Sequence, residues 1–275
     1  MAAMLTIVLA AAPARAQTAP VGVRAAGMGG AFTAVADDAT ATYWNPAGLA
    51  AGTFFGLTLD GNHFDRQAGQ FAGFATPPFG ISYFRTASST AVDENGRNPA
   101  GGSFVVHHAG ATLVQSLGDH GLAVGTTLGM VHGNGATAFG ADAGVMLTGA
   151  LGKIGLVAHN LTAPSLGGVR LDRQVRAGLS VNARQNLLVA ADIDLTSTGV
   201  SGEDRQDAAI GVEVHPQARV WVRGGTHWSM KGTAAPIGTA GASVAVYGSI
   251  RADAQVSFGS QDGDRGWGVG LSFVY

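Results

Sequence analysis

Apolar and polar residues alternate along most of this chain, most cleanly at its C-terminal end. From Gly266 to Tyr275 the odd positions are Trp267, Val269, Leu271, Phe273 and Tyr275, while the even ones are small apart from Val274. A period of two puts the odd side chains on one face of a strand. Similar runs predict fourteen strands, near 53–62, 69–76, 79–87, 103–116, 120–132, 138–149, 151–160, 172–182, 186–196, 206–214, 218–228, 238–247, 249–258 and 266–275. The linkers between them alternate in length. Those after even-numbered strands are tight, as at Pro77-Pro78, Gly118-Asp119 and 215–217. Those after odd-numbered strands are longer, as at 88–102, 161–171, 198–205 and 229–237. Short turns on one rim, long loops on the other and an even count predict an all-β, transmembrane antiparallel barrel of about fourteen strands, with both termini on the short-turn side.

The faces are as regular as the strands. In 186–196, Leu187, Val189, Ala191, Ile193 and Leu195 oppose Asn186, Asp192, Asp194 and Thr196. In 218–228, Val220, Val222 and Trp228 oppose Arg219, Trp221, Arg223 and His227. An export signal and a terminal aromatic favour apolar side chains outward to lipid and polar ones toward the lumen. The inward set then includes Arg176, Asp192, Asp194, Glu213, Arg219, Arg223, Arg251 and Asp253, a network of mixed sign. Opposite charges on neighbouring strands brace a lumen rather than select ions. Three-residue turns at 183–185 and 215–217 predict Arg176 opposite Asp192 and Glu213 opposite Arg219. Small inward residues such as Gly266, Gly268, Gly270, Ser180 and Ser272 leave room for something inside.

Composition supports strands over helices. Only 12% of the 275 residues are charged, the net charge is −2, cysteine is absent and 43 residues are glycine. The longest uncharged stretch, 39–59, is interrupted by Asn45-Pro46 and three glycines, which make it a poor spanning helix. Near-neutral charge without a basic run argues against nucleic acid as a partner. Met4 to Ala12 is apolar and precedes Ala14-Arg15-Ala16, so residues 1–16 read as a secretory signal. Residues 17–52 do not alternate and are too apolar to hang in the periplasm. They predict a plug inside the barrel, with a short helix at 31–36, Asn45 as a helix cap and Pro46 in the first turn. The barrel occupies 53–275.

Two stretches resemble known signals. Gly270, Phe273 and Tyr275 resemble the C-terminal signal that bacterial outer-membrane barrels present to the barrel assembly machinery, which implies a bacterial outer-membrane location, periplasmic termini and surrounding lipid. Arg24 to Phe32 with Gly27, Gly29 and Gly30, then Asp37-Asp38, then Asn45-Pro46-Ala47-Gly48 resemble in order and spacing the N-terminal hatch of FadL-type barrels. That resemblance implies a monomer whose hatch blocks the periplasmic mouth. It also implies passage of small hydrophobic molecules such as fatty acids, released laterally. The outer loop 88–102 has no aromatic and is short for a full-size transporter. The compact size resembles the PorV-like branch, whose barrels serve secretion systems or envelope assembly. Ala158-His159-Asn160-Leu161 followed by Pro164 is similar to a turn of that branch. The two expectations are therefore a hydrophobic-compound transporter and a non-transporting partner of a secretion-system protein.

No enzyme or cofactor site is expected. His107 and His108 are adjacent and point to opposite sides of a strand, so they cannot chelate one ion together. His227 faces the lumen with no assignable nucleophile. Gly27 to Gly30 precedes no βαβ unit, and no carboxylate cluster has calcium-loop spacing. Inward Phe79 or Trp221 would mark a hydrophobic path.

Overall fold

The computed structural model describes residues 21–65, 67–89, 103–118, 120–133, 135–166, 169–200, 203–231, 235–260 and 265–275. The chain closes into one antiparallel barrel of fourteen strands. In chain order these are β1 (Gly56–Phe64), β2 (Gln67–Thr76), β3 (Phe79–Ser89), β4 (Ser103–Leu117), β5 (Leu122–Gly133), β6 (Ala136–Thr148), β7 (Gly152–His159), β8 (Gln174–Arg184), β9 (Leu187–Asp194), β10 (Asp207–Gln217), β11 (Val220–Ser229), β12 (Ile237–Tyr247), β13 (Ile250–Phe258) and β14 (Gly266–Val274). Each pairs with its chain neighbours, and β14 closes on β1 in unbroken register from Gly56 opposite Val274 to Phe64 opposite Gly266. Just beyond that seam Phe55 and Tyr275 exchange two backbone hydrogen bonds. Closure pairs the first strand with the last, so neither is left as a free edge for another chain.

Alternation sorts the wall as expected. Along β1, Leu57 and Leu59 are exposed, while Thr58, Asp60 and Asn62 are buried inside. Exposed Ile81, Leu128, Ile154, Leu179, Ile210, Val256 and Trp267 continue the apolar face around the circumference. An apolar belt of this extent is far larger than a soluble monomer exposes, and it suits hydrocarbon. Phe79 belongs to this outer face, exposed opposite Leu113, so it does not line an internal path. Trp221 does face inward, where Arg251 stacks over its ring at 4.0 Å.

The long-loop rim is less uniform than its linkers suggested. β1 and β2 pair as far as Phe64 opposite Gln67, and β5 and β6 as far as Gly133 opposite Ala136, so both connections are tight. Two other loops carry short hairpins, Ser165–Leu166 with Val169–Arg170 and Thr198–Val200 with Glu203–Arg205. The first folds inward, burying Leu166 against Val106, Val131 and Ala138. Most of the aromatic-free loop 88–102 lies outside the described residues, as does the 1–16 signal.

Register differs from expectation in both charged hairpins. Arg176 stands opposite Asp194, and Glu213 opposite Arg223. The expected three-residue turns are instead shorter turns beside β-bulges, between Asn182 and Arg184 and between Val214 and Gln217. A bulge adds a residue to one strand, and period-two patterning cannot see it. Each pairing moves by an even number of residues, so every inward side chain stays inward.

Arg176 Nε donates to Asp194 Oδ1 at 2.6 Å with both side chains nearly buried. Charged hydrogen bonds contribute about 1.5–3 kcal/mol, so a double-mutant cycle on Arg176→Gln and Asp194→Asn should show coupling of roughly that size. The same cycle on Arg176 and Asp192 should show much less.

Candidate functional site

The segment before β1 occupies the inside of the barrel. It forms α1 (Val23–Gly27), α2 (Ala41–Trp44) and a 3-10 turn at Pro46–Ala51. The stretch 31–36 is a turn closed by hydrogen bonds to Phe32 O, not the expected helix. Ala25, Met28, Phe32, Val35, Ala47 and Leu49 of this hatch are buried against inward wall residues such as Val114, Met146 and Ala190.

A belt of inward glycines receives it. A Cβ added at Gly125 would lie 2.4 Å from Pro46 C, one at Gly225 2.3 Å from Met28 C, and one at Gly155 2.6 Å from Thr33 O. Gly80, Gly144, Gly178 and Gly211 make similarly close approaches to hatch atoms. Gly266, Gly268 and Gly270, in contrast, make room for Phe64, Asn62 and Asp60 of β1 rather than for the hatch. Within the hatch motif, Gly29 and Gly30 have φ of 67° and 79°, a region that favours glycine.

Wall side chains then hold the hatch by its backbone. Asp60 accepts from Val23 N–H, and one Asp192 oxygen accepts from both Phe32 and Thr33 N–H. Ser180, Thr127 and Thr239 hydroxyls donate to Ala34, Thr42 and Gly27 carbonyls. Asn45 is fully buried; it accepts from Ala47 N–H as a cap, ahead of Pro46 at the first turn, and donates to Thr33 O and Val145 O. Asp192, taken from sequence as the partner of Arg176, therefore serves the hatch instead.

An ion network ties hatch to wall on the other side. The Arg24 fork donates to Asp37 and Asp38 of the hatch and to both oxygens of Glu213 on β10. Glu213 also accepts from Arg223 Nε at 2.6 Å, and Arg223 reaches Asp253 at 3.4 Å. Burial by itself would lower the Arg24 pKa; Asp37, Glu213 and Asp38 outweigh it and hold the group charged, well above its ordinary value. Arg219 does not join the network. It lies exposed in the turn between β10 and β11, because the bulge lengthens β10 to Gln217.

Above the hatch lies an aromatic cluster that sequence patterning did not assemble. Tyr43 of α2 meets Phe84 of β3 edge-on at 5.4 Å and stacks on His159 of β7 at 5.7 Å. His108 lies flat on Phe84 at 3.9 Å, and Asp142 is 3.3 Å from His159 Nδ1. Burial pushes the Tyr43 phenol up to about 12, so it remains a neutral hydrogen-bond donor. His107, one residue from His108, is on the outer face with Tyr83. Among the described residues, no group of three or more metal-ligating side chains converges.

Beside this cluster the wall is incomplete. β6 pairs with β7 only from Ala143 opposite Ala158 to Thr148 opposite Lys153. Beyond that point the loop after β7 supplies the cover, with Leu161 N–H donating to Ala141 O and Thr162 Oγ1 to Phe139 O. The loop leaves β7 through Asn160 at φ 55°, whose N–H is held by Asp142 Oδ1.

No protein-family model matches the chain. No curated protein matches it either. Solved structures do share the fold. A mutant of the TodX monoaromatic hydrocarbon channel superposes with a TM-score of 0.68 at 14% identity, covering 91% of this chain and 96% of that one. A FadL homologue of Pseudomonas aeruginosa gives 0.57 at 12% identity, covering 89% and 95%. The chain thus has the fold of FadL- and TodX-type outer-membrane barrels.

Proposed function

We propose that this chain is a passive outer-membrane channel for small hydrophobic molecules, aromatic ones foremost, with both termini periplasmic and the hatch closing the barrel. The observation that carries the reading is the Tyr43–Phe84–His108–His159 cluster, a ring-lined floor set on the hatch where a flat apolar solute stacks and a neutral phenol offers one hydrogen bond. The likeness to a monoaromatic hydrocarbon channel supports it. On this reading the solute leaves sideways where the loop after β7, and not a strand, closes the wall beside β6.

Proteoliposome uptake of toluene tests this directly. Each ring contact contributes about 0.5–1.5 kcal/mol, so Tyr43→Ala and Phe84→Ala should each slow uptake roughly two- to tenfold while the barrel stays folded. Wild-type uptake no faster than protein-free vesicles would defeat the proposal. A stable complex with another envelope protein, and no bound solute in native mass spectrometry, would favour the PorV-like role.

A further inference from the structure

The outer wall is largely apolar, and its basic residues are confined to one side of the barrel. Away from the turns, the outward positions of β7 to β14 carry residues such as Ile154, Leu179, Ile193, Ile210, Val256 and Val269, and no charged side chain. The outward basic groups lie on the first five strands: His63 of β1, beside Trp267 of β14, and a set of three on β3 to β5. Arg85 of β3 stands opposite His107 of β4, which stands opposite His132 of β5, forming one row across three adjacent strands. Gln70 of β2 and Thr137 of β6 extend the row at its two ends. It contains no carboxylate. The rows on either side are mainly apolar, with Ala87 and Val105 on one side and Ala109, Met130 and Phe139 on the other.

The imidazoles are oriented. Tyr83 Oη is 2.7 Å from His107 Nδ1, and Thr137 Oγ1 is 2.8 Å from His132 Nδ1. With each hydroxyl donating, a neutral imidazole carries its own proton on Nε2. Two ring N–H donors and a guanidinium are then carried by three adjacent strands, with the two imidazole centroids 6.4 Å apart, near enough for one anionic headgroup to meet both.

We propose that this row binds the phosphate-bearing headgroup of an anionic membrane lipid. The row lies in a wall whose neighbouring positions suit acyl chains, so a lipid meets both the apolar rows and the charge, whereas a free anion would meet only the charge. The inference rests on the membrane placement and is independent of what, if anything, the channel carries.

The test uses the full chain reconstituted in mixed vesicles of phosphatidylglycerol and phosphatidylcholine. The protein is extracted gently, and the retained lipids are weighed by native mass spectrometry. Wild type should retain phosphatidylglycerol preferentially. Arg85→Gln should cut that preference about fivefold, the effect of one basic residue at an anionic surface, and Arg85→Lys should keep most of it. The triple variant Arg85→Gln, His107→Gln, His132→Gln should abolish it, with heat-dependent gel migration confirming that the barrel has formed. If the triple variant does not fold, the Arg85→Gln and Arg85→Lys pair decides alone. No preference in wild type, an unchanged preference in Arg85→Gln, or displacement of the lipid by inorganic phosphate alone would overturn the proposal. Failure of wild type to insert would overturn the membrane placement itself, and the row with it.

Discussion

Replacing Gly125 with valine should unseat the hatch while leaving the barrel intact. The Cβ alone would lie 2.4 Å from Pro46 C and 2.5 Å from Ala47 N, backbone atoms that cannot rotate away. The outer wall is unaffected, because Gly125 points inward and its backbone keeps its place in the ladder between Val114 and Gly144. Overpacking costs about 1–3 kcal/mol, and a value near the top of that range changes the ratio of open to seated hatch by about a hundredfold. Single-channel recording in planar bilayers should show openings that are rare in wild type and frequent in Gly125→Val. Gly225→Val should do the same from the opposite wall through Met28. Gly69→Ala, where an added Cβ meets nothing within 4 Å, should behave as wild type. Closed channels in both valine variants would mean that the segment does not obstruct the barrel.

Removing Arg24 should be nearly as disruptive, by a different mechanism. Its guanidinium is the shared partner of Asp37, Asp38 and Glu213, with side-chain exposures of 35%, 17% and 6%. Arg24→Ala leaves Glu213 with Arg223, but strands the two hatch carboxylates beside each other. Removing one partner from a buried pair costs about 3–5 kcal/mol; the partial exposure of Asp37 and its proximity to Lys153 lower the expectation to roughly 2–3 kcal/mol. Proteolysis of the reconstituted protein from the short-turn side should then cut within the hatch much faster than in wild type. Arg24→Lys should fall between, since an ammonium keeps the charge but loses the fork. Adding Glu213→Gln to Arg24→Ala should cost less than the sum of the two single changes. Strict additivity would show that the hatch is held by packing and backbone hydrogen bonds, with the ion network a bystander.

Much of this architecture was legible in the chain because a period of two is a local property. Every strand, the two faces of each and the even count follow from neighbouring residues alone, and the structure has all fourteen strands. Asn45-Pro46 likewise reads as a cap and first turn without reference to the rest of the molecule, and it is one. Pairing is not local in this way. Alternation puts Arg176 and Glu213 on the correct face but cannot choose their partners, because in each hairpin a tighter turn and a one-residue bulge together shift the register by an even step that leaves the alternation untouched.

The site was harder still. The inward phase of Gly125, Gly144, Gly155 and Gly225 could be read from alternation, and a glycine recurring inward on strand after strand is a signal that a backbone runs close inside. What no pattern could state is which hatch atom each glycine faces. Tyr43, Phe84, His108 and His159 come from four separate elements and meet only because the barrel closes around the hatch. By itself, then, the sequence determined the strands, their faces, the presence of an inner segment and the cap at Asn45, all set by side-chain chemistry within a few residues. Only the tertiary structure decided the register, the three-way grip of Arg24, the hatch-holding role of Asp192 and the aromatic floor. Each of these depends on contacts between distant segments, and closing the barrel around its own N-terminus is what brings those segments within reach.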